Sequence, residues 1–264
     1  MSTAAAARAS GFALVTGATS GIGAEFARQL AERGHDLVLV ARDAGRLEKS
    51  AAALAGEYGI RVEILVADLT DAAAIAAVER RAASIVNPVE VLVNNAGFGL
   101  VRHFDENSID DEITHLDLHV TAPMRLMHAA IGQMLARKSG TIVNIASVAA
   151  FTPRDTYGAA KAWVISFSRW ANVYYRGRGV RVTAVAPGFV RTEFHERMDV
   201  TTDGFPRFLW LSAEQLVRSA LRDVDRGKSV SVPTLRYKTL VALTRILPDR
   251  VTAAGSLRSR ESSR

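Results

Sequence analysis

The stretch Phe12-Ala13-Leu14-Val15-Thr16-Gly17-Ala18-Thr19-Ser20-Gly21-Ile22-Gly23 decides the fold. Its apolar opening is continuous rather than alternating, as expected of a strand buried on both faces. A glycine-rich turn follows at once. Gly23–Arg33 then sets Phe26, Ala27 and Leu30 on one helical face, and Gly34 stops the helix. The turn therefore sits at a helix N-terminus. Its glycines permit close backbone approach, and the helix end offers free N–H groups and a positive dipole end to a pyrophosphate.

The same rhythm runs outward along the chain. Leu37–Val40, Val62–Val66, Val89–Val93, Thr141–Ile145 and Val180–Val185 are short apolar runs bounded by turn residues. Helical patterns lie between them: Asp43 caps one running to about Tyr58 and Asp71 another to about Val86. Longer patterns cover Ile109–Ala136 and Thr156–Arg176. Such alternation predicts right-handed crossovers and an open parallel sheet with helices on both faces. The fold class is therefore α/β, a Rossmann-type doubly wound parallel sheet of three layers in a single domain.

Phe189–Trp210 breaks the rhythm, mixing aromatics with Gly204 and Pro206, and reads as a lid between a strand and a helix. Leu211–Arg226 reads as that helix, Ser229–Val232 as a last strand and Leu235–Leu247 as an amphipathic helix ending at Pro248. The expected organisation is a disordered leader over 1–10, a Rossmann-type domain over 11–232 and a basic extension over 233–264.

Composition narrows the function classes. The 264 residues are 48% hydrophobic, enough for one sizeable core. The chain has no cysteine, which excludes disulfides and thiolate metal sites. No apolar run reaches the roughly 18 residues of a membrane span, and a cytoplasmic location is expected. The net charge of +6 is uneven: from Pro233 onward seven Arg and Lys residues face only Asp249 and Glu261. The body carries no basic cluster suited to nucleic acid, so no nucleic-acid partner is expected.

The glycine turn has the spacing TGxxxGxG, and further motifs follow in order: Asp68-Leu69, Asn94-Asn95-Ala96-Gly97, Tyr157-Gly158-Ala159-Ala160-Lys161, and Pro187-Gly188 with Val190 and Thr192. Together they resemble the short-chain dehydrogenase/reductase family over roughly residues 11–232. The resemblance implies a nicotinamide dinucleotide cofactor. Its pyrophosphate would lie on Gly17, Thr19, Ser20 and Ile22, and its adenine by Asp68 and Leu69. Asn95, Ala96 and Gly97 would line its path. Pro187, Gly188, Val190 and Thr192 would hold the nicotinamide end.

The second strand bears on which dinucleotide. It ends Val40-Ala41-Arg42-Asp43, with Ala41 where an NAD enzyme usually carries a ribose-binding carboxylate. The Arg42 guanidinium suits a 2′-phosphate, so NADP(H) is preferred over NAD(H). The rival is Asp43 as ribose acceptor, against its reading as a helix cap.

Tyr157 and Lys161 are four apart on a predicted helix and share a face. A free tyrosine, with a pKa of about 10, is a poor proton shuttle at neutral pH, and a neighbouring ammonium should lower that value. By resemblance, Tyr157 is the general acid/base, Lys161 also holds the ribose hydroxyls, and Ser147 hydrogen-bonds the substrate oxygen.

The chain departs from the family twice. His119 stands where the family often carries an asparagine supporting a water relay to the lysine; a histidine titrating near neutral pH can relay protons there. Ser147 and Tyr157 are only ten positions apart, so the connecting loop is short, which puts the substrate class and the placement of Ser147 in question.

His115 and His119 have the spacing of a two-histidine zinc site, but Leu116 stands where a metalloprotease carries glutamate. No metal is expected, and His115 reads as an ordinary helix residue. The absence of GxSxG argues against a hydrolase. In the tail, Leu240, Val241, Thr244 and Leu247 would share a face. Docking on the chain's own domain or a sister subunit is favoured there over an anionic membrane surface.

The leading expectation is an NADP(H)-dependent oxidoreductase acting on a ketone, aldehyde or secondary alcohol. Phe98, Phe151, Phe194 and Trp210 would line an apolar substrate pocket, and the family implies a homodimer or homotetramer. The alternative is an NADP(H)-binding scaffold or redox sensor with little turnover.

Overall fold

Alternate residues of each central strand enter two different cores, and that separation organises the molecule. In the computed structural model, which describes residues 11–100, 102–191, 210–244 and 246–253, Phe12 and Leu14 face one apolar layer with Val38, Val78, Leu126, Met134 and Ile142. Ala13 and Val15 face another with Phe26, Leu30, Leu37, Leu39, Val217 and Leu221. Helices cover both sides of one sheet, and the three layers follow from the two-residue period of the strands.

The seven strands are β1 (Phe12–Thr16), β2 (Asp36–Ala41), β3 (Val62–Val66), β4 (Val89–Asn94), β5 (Gly140–Ile145), β6 (Val180–Val185) and β7 (Val230–Ser231). They lie in the order β3-β2-β1-β4-β5-β6-β7, every pair parallel. The chain winds outward from β1 to β3 and then crosses to β4 on the other side. The winding reverses between β1 and β4, and at such a point the strand ends open a crevice for a ligand.

Helices α1 (Gly21–Glu32), α2 (Ala44–Tyr58) and α3 (Ala72–Ala82) connect the first strands. The Asp43 carboxylate accepts the Arg46 N–H at 2.9 Å and so caps α2. Asp71 caps α3 through Ala73 and Ala74. That helix stops at Ala82, short of the expected Val86.

The pattern over 109–136 is not one α-helix. It divides into α4 (Ile109–Leu116), a π-turn (Asp117–Thr121) and α5 (Ala122–Arg137). Pro123 supplies the physical reason. It has no N–H to give the carbonyl four residues back, which is that of His119, and its ring crowds that carbonyl. The backbone takes in one extra residue instead, and the Ala122 N–H donates to the Asp117 carbonyl.

Beyond β5 come a 3₁₀ turn (Val148–Phe151), α6 (Asp155–Arg176), β6, α7 (Ala213–Asp225), β7, α8 (Leu235–Thr244) and α9 (Asp249–Ala253). The last strand keeps only Val230 and Ser231 of the expected four residues. Leader 1–10, most of the expected lid, Thr192, Phe194 and the end of the tail lie outside the described residues.

The tail helix corrects the sequence reading. It ends at Thr244 rather than Leu247, and its buried positions are Tyr237 and Val241. Of the expected apolar face Val241 is buried and Thr244 half-buried, whereas Leu240 and Leu247 are exposed, so the docking face is shifted toward Tyr237. The aromatic ring of Tyr237 wins the contact because it fits the chain's own loops. No helix among the described residues is long and apolar enough to cross a membrane.

Candidate active site

The glycine turn ends β1 and opens α1, with Thr19 before the Ser20 N-cap and Ile22 in the first helical turn. Gly17 holds φ +64°, and a Cβ there would lie 2.9 Å from Asn95 Nδ2. A Cβ on Gly23 would strike the Gly17 carbonyl at 2.2 Å. Only glycine permits this cradle. The Asn95-Ala96 segment locks it from β4: Thr16 Oγ1 accepts the Asn95 and Ala96 N–H groups at 2.9 and 3.0 Å. The Asn95 amide donates to the Thr16 and Gly17 carbonyls at 3.0 and 3.3 Å. Asn95 thus shapes the turn from behind.

Arg42 stands at the end of β2 with 78% of its side chain exposed, Nη1 3.8 Å from Asp68 Oδ2. Burial pushes the Asp68 carboxyl up, but hydrogen bonds from Thr70 and the charge of Arg42 outweigh it and hold the group below its ordinary value. Asp68 and Leu69 lie just beyond β3; the Leu69 side chain is buried in the core. Asp43 is engaged as the α2 cap through Oδ1. The glycine cradle at the helix N-terminus fits the pyrophosphate of a dinucleotide.

On the other side of the crevice, Ser147 follows β5 and Tyr157 and Lys161 project from α6. The short loop folds as the 3₁₀ turn, with Ser147 Oγ accepting the Ala149 N–H at 3.1 Å. Ser147 lies close enough to Tyr157 to lower the pKa of its phenol. The Lys161 ammonium is buried, donates to the Ile145 carbonyl at 2.8 Å and lies 5.8 Å from the Tyr157 ring centre.

The electrostatics differ from the sequence reading. Burial pushes the Tyr157 phenol up, and the nearby Ser147 hydroxyl and the charge of Arg154 act against it. Lys161 does not supply the expected lowering, because burial pushes its own pKa down to about 7. The cation acting on Tyr157 is Arg154, three residues earlier. Arg154 is the extended residue that precedes α6, so helical spacing does not reveal it.

His119 is buried in the π-turn. Its Nε2 lies 2.6 Å from the Phe98 carbonyl and 3.2 Å from the Phe98 N–H. One ring nitrogen cannot donate and accept at once, and the shorter contact makes Nε2–H the donor. His115, expected to be an ordinary helix residue, is fully buried one turn earlier. Neither of its ring nitrogens has a hydrogen-bond partner among the described residues, nor does His119 Nδ1.

Burial, followed by the charge of Lys161, drives His115 down to about 4 against the opposing charge of Glu112. Burial, Lys161 and His115 together hold His119 well below its ordinary value, against the Phe98 carbonyl. His119 therefore does not titrate near neutral pH; both rings are neutral there. Phe98 stands edge-on to His115 at 5.5 Å, and a Cβ on Gly97 would lie 2.4 Å from His119 Cε1.

Pro187 and Val190 are buried and Gly188 half-buried in the loop after β6. Phe151 packs against the apolar cluster of Ala146, Val164 and Ile165. Trp210 stands 5.5 Å from Phe189. Thr192 and Phe194 lie outside the described residues. Among those described, no three His, Asp or Glu side chains gather as a metal-ligand set.

Comparison with known proteins agrees with this fold. Residues 11–202 match the profile of the family described as short chain dehydrogenase. Oxidoreductase UcpA of Escherichia coli is 36% identical over 188 residues, 70% of this chain and 71% of that protein. A short-chain dehydrogenase from Sphingobium yanoikuyae, solved in complex with NADPH, superposes with a TM-score of 0.82 at 38% identity, covering 89% of this chain and 93% of that one. The bulky-bulky ketone specific alcohol dehydrogenase from Comamonas testosteroni gives 0.77 at 34% identity, over 89% and 92%.

Proposed function

The chain belongs to the short-chain dehydrogenase family, and on that premise we propose that it is an NADP(H)-dependent oxidoreductase interconverting a ketone or aldehyde with its alcohol. The observation that carries the reading is the buried Lys161, which donates to the Ile145 carbonyl at 2.8 Å and lies 5.8 Å from the Tyr157 ring centre. A nicotinamide bound in this crevice supplies or accepts the hydride at the carbonyl carbon.

Gly17, Thr19, Ser20 and Ile22 would hold its pyrophosphate, Arg42 the 2′-phosphate, and Asp68 and Leu69 the adenine. Asn95, Ala96 and Gly97 would back its ribose path. Lys161 and Tyr157 would meet the nicotinamide ribose, and Pro187, Gly188, Val190 and Thr192 the nicotinamide. NADPH in the Sphingobium relative and the exposed Arg42 both support the phosphorylated form.

The protein's own part is proton handling. A phenol held above its ordinary pKa stays protonated at neutral pH, the state required of a general acid toward a carbonyl oxygen. The Ser147 hydroxyl turns to donate to that oxygen and stabilises the charge developing there. Lys161, with a pKa of about 7, can release or take up a proton at little cost. His119, neutral, can pass one between its two ring nitrogens. Phe98, Phe151, Phe194 and Trp210 favour an apolar substrate.

Exposed Ile109, Ile113, Leu116 and Met124 on α4 and α5, with Trp170, Val173 and Tyr174 on α6, support pairing of like chains. The test is NADPH consumption against a panel of ketones, aldehydes and diketones, with Tyr157→Phe as control. Turnover that vanishes in the variant upholds the reading. NADPH binding without turnover across the panel would replace it with a cofactor-binding scaffold or sensor.

A further inference from the structure

Helix α8 lies beyond the residues that match the family profile, yet its one buried aromatic reaches the loop expected to hold the nicotinamide. We infer that Tyr237 is a positioning residue of the cofactor site, and that the C-terminal segment completes this site rather than trailing from it. The inference rests on the nicotinamide reading above.

Thr234 starts the helix, its carbonyl accepting the Lys238 N–H at 2.9 Å and its hydroxyl the Tyr237 N–H at 3.3 Å. The first turn then aims Tyr237 inward, 3% exposed, with Val241 one turn later beneath the same face. The phenol oxygen accepts the Phe189 N–H at 2.8 Å. The Phe189 carbonyl accepts the Leu211 N–H at 2.9 Å, and the Arg191 N–H donates to the Leu211 carbonyl at 3.1 Å. The backbone of Phe189 is thereby gripped from both sides, by Tyr237 and by Leu211.

Gly188 shows how close the strap lies. A Cβ there would sit 1.9 Å from Tyr237 Cζ, inside the ring itself. Its φ lies outside the left-handed region, so what requires glycine is the approach of Tyr237 and not a turn geometry. Around the ring, Val190, Leu211 and Leu216 form one buried cluster against which Ile22 and Val148 pack. Ile22 belongs to the glycine turn and Val148 follows Ser147. One tail side chain therefore meets, through a single cluster, the cofactor turn, the serine turn and the nicotinamide loop. Packing of this density transmits displacement rather than absorbing it.

The adenosine half of the crevice, with Arg42 and Asp68, lies across the sheet among β1, β2 and β3 and shares none of these contacts. Loss of the strap should therefore weaken one half of the dinucleotide and spare the other. The experiment compares wild type with Tyr237→Phe, which keeps the ring and deletes only the acceptor, by calorimetric titration with NADPH and with adenosine 2′,5′-bisphosphate, which lacks the nicotinamide half. The expected result is NADPH affinity lower by about tenfold, as for loss of one buried hydrogen bond, with the bisphosphate unchanged within about twofold.

Gly188→Ala, which forces the ring away, should give the same split more strongly. Equal losses for both ligands, or no loss for either, would overturn the inference. If wild type binds neither ligand, the cofactor reading itself has failed, and amide exchange at Phe189 decides for the strap alone. Exchange about tenfold faster in Tyr237→Phe upholds the strap, and unchanged protection defeats it.

Discussion

The rings of His115 and His119 lie 4.3 Å apart centre to centre, tilted by 44°, and the ring of Tyr157 stands within 6 Å of each. Two histidines packed this closely beside a buried lysine cannot both carry charge. The site resolves the conflict by keeping both neutral, at the cost of ring nitrogens that have no partner among the described residues. The π-turn places His119 here: with Pro123 unable to continue α-helical bonding, the ring is offset toward Phe98 and Gly97.

Acid should therefore destabilise the fold through His115. Its ordinary pKa is about 6.5 and its folded value about 4. Between these the unfolded chain binds a proton that the folded chain does not, so stability falls as pH drops through that window. The difference amounts to ~3 kcal/mol by pH 4. Urea unfolding at a series of pH values should show wild type losing that much more stability than His115→Gln between pH 7 and pH 4. Parallel curves would mean that His115 is protonated in the folded state.

Lys161 should trade stability for activity. Burial lowers its pKa from an ordinary 10.5 or so to about 7. The unfolded chain then holds the extra proton between those values, and stability rises with pH across that range. At pH 7, Lys161→Met should unfold at a temperature roughly 3–8 °C higher, with the advantage fading toward pH 10. Its turnover should fall by about 100-fold or more. A variant less stable than wild type at pH 7 would show that the Ile145 carbonyl offsets the cost of burial.

Much of this was legible in the sequence because parallel strands buried on both faces must be continuously apolar, and Phe12–Val15 and Thr141–Ile145 are. Asp43 and Asp71 read as caps because their carboxylates satisfy the first free N–H groups of α2 and α3. Most of what escaped depends on contacts between distant segments. The neutral state of His119 comes from burial beneath Phe98 and from Lys161, neither its neighbour in sequence. Arg154 belongs to no motif. Tyr237 looked like one residue of a basic tail, since nothing local says that Gly188 leaves room for its ring. The π-turn was signalled by Pro123, but the apolar periodicity on either side masked it.

Arg42 should separate the two cofactors. Its guanidinium is exposed and only loosely paired with Asp68 at 3.8 Å, so it is available to a 2′-phosphate. Arg42→Ala should weaken NADPH binding by roughly 10- to 100-fold and NADH binding by less than about threefold. The melting temperature should stay put, because an exposed pair of this length contributes little. Equal losses for the two cofactors would remove the case for NADP(H).

Gly97 and His119 should prove to be one unit. A Cβ at 97 would lie 2.4 Å from His119 Cε1, and the ring cannot retreat, being held by the Phe98 backbone and backed by His115. The φ of Gly97 is not in the left-handed region, so alanine there carries no backbone penalty and its cost is steric. Gly97→Ala should destabilise wild type by about 1–3 kcal/mol, the usual cost of overpacking. His119→Asn removes the offending ring edge, and alone it should keep at least about a tenth of wild-type turnover, since a shorter amide can still serve the Phe98 carbonyl. In the double variant the steric cost should largely disappear, giving a coupling of about 1–2 kcal/mol in a thermodynamic cycle measured by chemical unfolding. Strictly additive losses would mean that the ring has room to move, and that glycine at 97 serves the approach of a ligand rather than the packing of His119.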